Sequence, residues 1–322
     1  MTESSIRPTR RVRLPRLSSQ LLVLGGFLVV VVGVFASMSA NFLSTANVLN
    51  ILSISAVIGL VSLGQVLPLI SGGFDLSVSG VVPLAGVLFA LLTNAGLGLV
   101  PALVVVLAAG GVVGLVNGLL ITRARINPLI ATLGTLSVVG GLALVISNGL
   151  QIPFTNPDVG ALTSRGLFGV NNQVWLFVGL AIVVHIVLSY TSYGRRIYAV
   201  GGNVEAARLA GIRVNSVTSS VYVLCSMLAA LAGVVLASQL LTGSGTAGIN
   251  TNLQSITAVI LGGAALTGGV GGVPGTVLGV LILGALSNGM ALTHVPSFYQ
   301  TIATGLVLLA AVGLSQIRRR LR

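Results

Sequence analysis

The chain has 322 residues, of which 16 are basic and 4 acidic, so charge makes up 6% of it where a soluble domain carries about 25%. With 55% hydrophobic residues, 43 Gly and a mean hydropathy of +1.08, it cannot coat a core with a polar shell. The composition excludes an ordinary soluble protein and predicts an all-α, polytopic membrane protein.

The net charge of +12 does not point to nucleic acid. Every basic residue is Arg, and the Arg residues sit in short clusters between apolar runs, as topology signals do. The absence of Lys excludes a Walker A loop, which needs that side chain on the nucleotide phosphates. One cysteine, Cys225, and two His exclude a disulfide framework and a Cys/His metal cluster. No nucleophile and base pair can be assembled, so the chain reads as a non-enzyme that binds no metal or cofactor itself.

In chain order, a basic segment, 1–18, precedes a transmembrane domain, 19–317, and a basic tail, 318–322. A crossing helix needs about 20 apolar residues. Ten segments qualify, at roughly 19–39, 47–70, 76–93, 98–121, 128–148, 173–190, 215–241, 253–268, 274–293 and 298–317. An even count places both termini on one side. All the Arg residues except Arg165 fall on that side, which predicts cytoplasmic termini. The basic start, the run Leu21 to Phe35 and the small residues Ala36 to Ala40 also resemble a cleaved signal peptide, although the apolar run is longer than a usual signal core.

No segment centre holds an ionisable residue of the kind that proton-coupled carriers bury, so the energy source is expected on another subunit. Asn117, Asn148, Gln65, Gln239 and Asn288 suit either hydrogen bonds to a passing polyol or ties between helices. Gly110, Gly114 and Gly118, and again Gly275 and Gly279, recur at four-residue spacing, which suits close helix packing or the lining of a path. In Ser71-Gly72-Gly73-Phe74-Asp75-Leu76-Ser77, paired glycines break the chain before a new helix. Asp75 there is either a cap or the end of a half-helix aimed into a translocation path.

Two loops stand out. The external loop 149–172 holds Pro153, Pro157, Asp158 and Arg165 and is long enough to receive an extracytoplasmic partner. The cytoplasmic loop 194–214 is too polar to cross. In it Asn203 is an N-cap, Glu205 falls in the first turn, Arg208 in the last, and Gly211 suits the left-handed residue past the end. This predicts a surface helix over 204–210 that exposes Ala206, Ala207, Leu209 and Ala210 for docking to a cytoplasmic partner.

On these residues the chain resembles the permease subunits of bacterial ABC importers for monosaccharides, the ribose, xylose and arabinose group. ISGGFDLSVSG at 70–80 resembles the family's GGIDLSVG signature. GLVNGLLITRARINPLIATLGTL at 114–136, GRRIYAVGGNVEAARLAGI at 194–212 and AVILGGAALTGGVGGVPGTVLGVLILGALSNGM at 258–290 resemble three further motifs. The resemblance, over about residues 40 to 315, implies a permease of the bacterial cytoplasmic (inner) membrane that carries a monosaccharide such as ribose. It further implies a homodimer, or a dimer with a related permease. The implied partners are an ATPase holding ATP and magnesium and a periplasmic or lipid-anchored sugar-binding protein. Gly194, Arg195, Asn203, Glu205, Ala206, Arg208, Leu209 and Gly211 are then the ATPase-coupling residues, and Gly72, Gly73, Asp75, Ser77, Asn117 and Asn288 the candidates for the path or its gate. Gln254, and a GGVGG at 268–272 without a basic residue, depart from the family pattern. Nucleosides, inositol or branched-chain amino acids are alternative substrates, and an ion-coupled carrier is the rival class.

The predicted topology has a direct check. A reporter fused after Arg322 is expected to be active only in its cytoplasmic form; activity confined to the outside would overturn the assignment.

Overall fold

A computed structural model describes residues 19–320. The basic segment 1–18 and the last two residues of the tail lie outside the described residues. The described part contains twelve α-helices: α1 (Ser19–Met38), α2 (Thr45–Ile70), α3 (Val78–Asn94), α4 (Leu99–Thr122), α5 (Pro128–Ser147), α6 (Asn172–Tyr190), α7 (Ser192–Gly202), α8 (Val204–Leu209), α9 (Val214–Leu240), α10 (Thr251–Leu261), α11 (Val273–Leu292) and α12 (Ser297–Arg320). Seven are long and apolar enough to cross a membrane: α1, α2, α4, α5, α6, α9 and α11. Three shorter apolar helices, in α3, α10 and the first part of α12, accompany them.

α2 and α9 form the centre. Every residue from Ser55 to Ile70 is buried, as expected of a helix with neighbours all round. α9 packs against α2, α3 and α4. The outer helices instead expose large apolar side chains, such as Val100, Val104 and Val112 on α4, which only lipid solvates favourably.

Close approach is bought with glycine. A Cβ at Gly110 would meet Ala230 and the Ser226 carbonyl, at Gly114 the Tyr222 carbonyl, and at Gly118 the Ser219 backbone, all on α9. Gly275 and Gly279 meet Gly262 and Ala258 of α10 in the same way. Both stripes are therefore packing seams.

The structure departs from the sequence reading in three places. α10 ends at Leu261 and residues 262–272 are not helical, where a span to 268 was expected. Gly263, Gly268 and Gly269 have φ of 97°, 81° and 74°, a backbone that glycine adopts freely and a helix cannot. The polar loop after α6 contains a further helix, α7, besides the expected one. The all-α reading also needs an amendment, because β1 (Gln151–Pro153) pairs antiparallel with β2 (Thr242–Ser244), with Ile152 opposite Gly243.

At one junction three chain segments touch backbone to backbone. Gly201, near the end of α7, lies against the Ile70 carbonyl at the end of α2, and Gly268 lies against both Gly201 and Gly72. Gly269 N donates to Ile70 O at 2.8 Å. Gly201→Ala should therefore lower the thermal stability of the detergent-solubilised protein by an overpacking cost of about 1–3 kcal/mol. Gly179→Ala on the outer face of α6, where a Cβ meets nothing, should leave the midpoint unchanged or slightly raised.

Candidate gate and coupling site

α2 stops at Ile70 because the next residues cannot continue it. Gly72 has φ 88°, and its N–H and that of Gly73 turn back to Leu69 O and Pro68 O at 3.1 and 2.8 Å. The chain then re-enters the bundle. Asp75 and Ser77 are both fully buried, and Asp75 lies beside Gln65, about 7 Å back along α2 at 1.5 Å per residue.

Irregular backbone in such a place must find partners without water. The side chain of Gln65 supplies them when its amide is oriented to suit both partners, the N then donating to Asp75 O at 3.1 Å and the O accepting from Asp75 N at 3.2 Å. The Gln65 amide thus stands in for a missing strand.

The Asp75 carboxylate accepts from Ser77 N at 2.9 Å and from the Ser77 hydroxyl. It also accepts across the bundle, from Ser226 Oγ on α9 at 3.3 Å and Asn117 Nδ2 on α4 at 3.5 Å. Asn117 Nδ2 donates to Ser77 Oγ as well, at 2.9 Å. The carboxylate is held by neutral donors, because the ion pair among the described residues lies elsewhere, between Glu205 and Arg208. Charge-assisted hydrogen bonds of this kind are the stronger class. Asp75 bonds the backbone and hydroxyl of Ser77, the residue just before α3, and joins that start to α4 and α9. Tyr222 fills the space left by the absent side chain of Gly73, and its hydroxyl has no hydrogen-bond partner among the described residues.

The candidate coupling segment lies close by. Asn203 Oδ1 accepts from Ala206 N at 3.0 Å, Glu205 pairs with Arg208 at 2.8 Å, and Gly211 takes φ 79° while Ile212 N bonds Ala207 O. The predicted caps and charges are present, on a helix that spans Val204–Leu209. One expectation is corrected: Ala207 is buried, because its face of α8 packs inward, whereas Leu209 is 90% exposed. Gly194 lies against the Val187 and Leu188 carbonyls, so α7 folds tightly back on α6. Arg195 bonds Ser192. Tyr193 bonds Ser220 Oγ at 2.7 Å, and its burial raises the phenol pKa from the ordinary value.

A cavity of about 490 Å³ separates the two units. Gly72, Gly73 and Tyr222 form one wall, and Glu205 and Arg208 another. The structure thus gathers Gly72, Gly73, Asp75, Ser77 and Asn117 and places Glu205 and Arg208, two of the candidate coupling residues, nearby. It does not bring Asn288 to this group. Asn288 exchanges two hydrogen bonds with Asn47, at 2.9 and 3.0 Å, about 27 Å along α2 from Gln65. Ser226 and Tyr222 were missed from sequence. Their signal was indirect: they occupy the α9 face against which the α4 glycine stripe closes.

Residues 47–312 match the family model described as branched-chain amino acid transport system, permease component. The L-arabinose ABC transporter permease protein of Azospirillum brasilense is 37% identical over 306 residues, covering 94% of this chain and 90% of that one. The ribose import permease protein of Bacillus subtilis is 39% identical over 295 residues, covering 91% of each. A solved metal-chelate type ABC transporter in an inward-facing conformation matches with a TM-score of 0.51 at 18% identity, over 92% of this chain and 97% of that one; this is a likeness of fold alone.

Asp75→Ala would leave buried donors of Ser77 and Ser226 without their acceptor, at about 1–3 kcal/mol each when unsatisfied, and would leave Asn117 Nδ2 only Ser77 Oγ. It should destabilise the protein by clearly more than the ~1 kcal/mol of a lost helix cap, read as a lower thermal midpoint in detergent. A loss no larger than a cap would show that the contacts to α4 and α9 carry little.

Proposed function

This chain belongs to the family of bacterial transport-system permease components, and we propose that it is the membrane-spanning subunit of an ATP-driven importer for a monosaccharide such as ribose. The observation that carries the sugar reading is the 37–39% identity to arabinose and ribose permeases across nine-tenths of the chain. The family model's description names branched-chain amino acids, which is the second reading. The full-length matches to individual sugar permeases favour the first.

In this reading the seven long helices and the three shorter ones give ten spans, with both termini in the cytoplasm. Two copies, or this chain and a related permease, enclose the path. A cytoplasmic ATPase holds ATP and magnesium, this chain binds no cofactor, and an extracytoplasmic binding protein delivers the sugar.

The geometry supports a route from nucleotide to gate. α8 offers Ala206 and Leu209 to the ATPase, and Asn203 joins α8 directly to the end of α7. There Gly201 touches the Ile70 carbonyl with no side chain between, so a push on α8 reaches the end of α2 and the re-entrant turn without a soft cushion. That turn ends in Asp75 and Ser77, whose bonds to Asn117 on α4 and Ser226 on α9 must rearrange for these helices to separate. Such packed contacts favour discrete arrangements over continuous deformation, which alternating access requires. Asn288, in its pair with Asn47, acts as a tie between α2 and α11.

Vesicles containing only this chain should accumulate no ribose, and adding the ATPase, the binding protein and ATP should start uptake. Leu209→Asp, at a position too exposed to affect folding, should abolish stimulation of ATP hydrolysis while the chain still assembles in the membrane. Concentrative uptake by the chain alone, or normal stimulation with Leu209→Asp, would sink the respective part of this reading.

A further inference from the structure

The turn from Ser164 to Asn172 is firmly closed, yet it carries its apolar side chains on the outside. Asn172 N donates to Ser164 O at 3.0 Å, Gly166 N to Val170 O at 2.9 Å and Val170 N to Leu167 O at 3.1 Å, while Asn172 Nδ2 reaches Ala161 O at 2.8 Å. At its tip Phe168 and Gly169 both have left-handed backbones, φ 55° and 73°, a conformation that a bulky aromatic rarely adopts. That backbone turns Phe168 outward, 92% exposed, beside Leu167 at 68%. Holding this much apolar surface in water is unfavourable.

The neighbouring helix indicates what covers it. Trp175 Nε1 donates to Leu167 O at 3.3 Å, and the rings of Phe168 and Trp175 lie 6.3 Å apart. Trp175, Val178, Ile182 and Ile186 form an exposed stripe along α6, while Val174, Phe177, Val184 and Leu188 face the bundle. An apolar outer face on a helix long enough to span is solvated by lipid, and Leu167 and Phe168 continue that face beyond the first turn of α6. Charge is sparse here: residues 149–172 contain only Asp158 and Arg165, and Arg165 lies exposed at the base of the turn, bridged to Asn171.

We infer that the 164–172 turn is a membrane anchor. It inserts Leu167 and Phe168 into the leaflet at the N-terminal end of α6, with the Trp175 indole at the interface, where such rings concentrate. The Arg165 guanidinium reaches lipid phosphate, with its stem laid along apolar surface. The anchor would hold the turn at a fixed depth.

Trp175 is the single Trp of the chain, so the unaltered protein carries its own probe. In phospholipid vesicles its emission should be quenched most by lipids brominated near the headgroup end of the acyl chain, less by lipids brominated near the chain end, and little by iodide in the water. A second protein, Trp175→Phe with Phe168→Trp, moves the probe to the tip and should show the same order. Quenching of either probe by iodide with no response to brominated lipid would overturn the anchor. So would shielding of the tip probe only when an extracytoplasmic binding protein is added, or only on pairing with a second copy. Each of those results would assign the turn to a protein interface instead.

Discussion

Backbone polar groups inside a bilayer have no water to fall back on, and the turn between α2 and α3 is where this chain meets that constraint most directly. A regular helix satisfies its own N–H and C=O groups. Residues 71–77 do not form one, and Gly73, Asp75 and Ser77 among them lie buried. Gln65 closes the gap by pairing with both backbone groups of Asp75, and the Asp75 carboxylate collects the donors of Ser77, Ser226 and Asn117. The short α3, the approach of α4 to α9 and the position of Tyr222 over Gly73 all depend on that arrangement.

Glycine provides the second condition. The seams between α4 and α9 and between α10 and α11 bring backbones into direct contact, and the junction of Gly201, Gly268 and Gly72 does the same for the ends of α7, α2 and the 262–272 segment. In lipid, apolar side chains gain little by leaving one apolar surface for another, so close packing between helices carries the association. Contacts without side chains also transmit displacement with little slack, which suits the coupling role proposed for this junction.

Some of this was legible residue by residue. Asn203, Glu205, Arg208 and Gly211 announced α8 because capping is local chemistry, decided by side chains within one turn of the backbone they satisfy. Asp75 announced a helix start for the same reason. α7 escaped because its Arg and Tyr residues read as polar loop, although the helix folds back on α6 and buries Gly194, Ile197 and Val200. Ala207 turned inward where α8 packs on the adjoining α7 and α9, and Asn288 turned toward Asn47, a neighbour distant in sequence. The pairing of β1 with β2 joins residues about ninety positions apart, and three-residue strands leave no periodic trace.

Composition by itself determined that this chain lives in a membrane, since 20 charges cannot solvate 322 residues, and apolar runs set where most helices lie. Spacing of small residues marked which faces pack closely but not against what. Only the tertiary structure decided that Asp75 is shared among three helices, that Asn117 belongs with it and Asn288 does not, and that the end of α7 meets the end of α2 through Gly201. The physical reason is one of range. Hydropathy and caps act within a segment, whereas a buried carboxylate acquires its partners from whatever helices the fold brings to it.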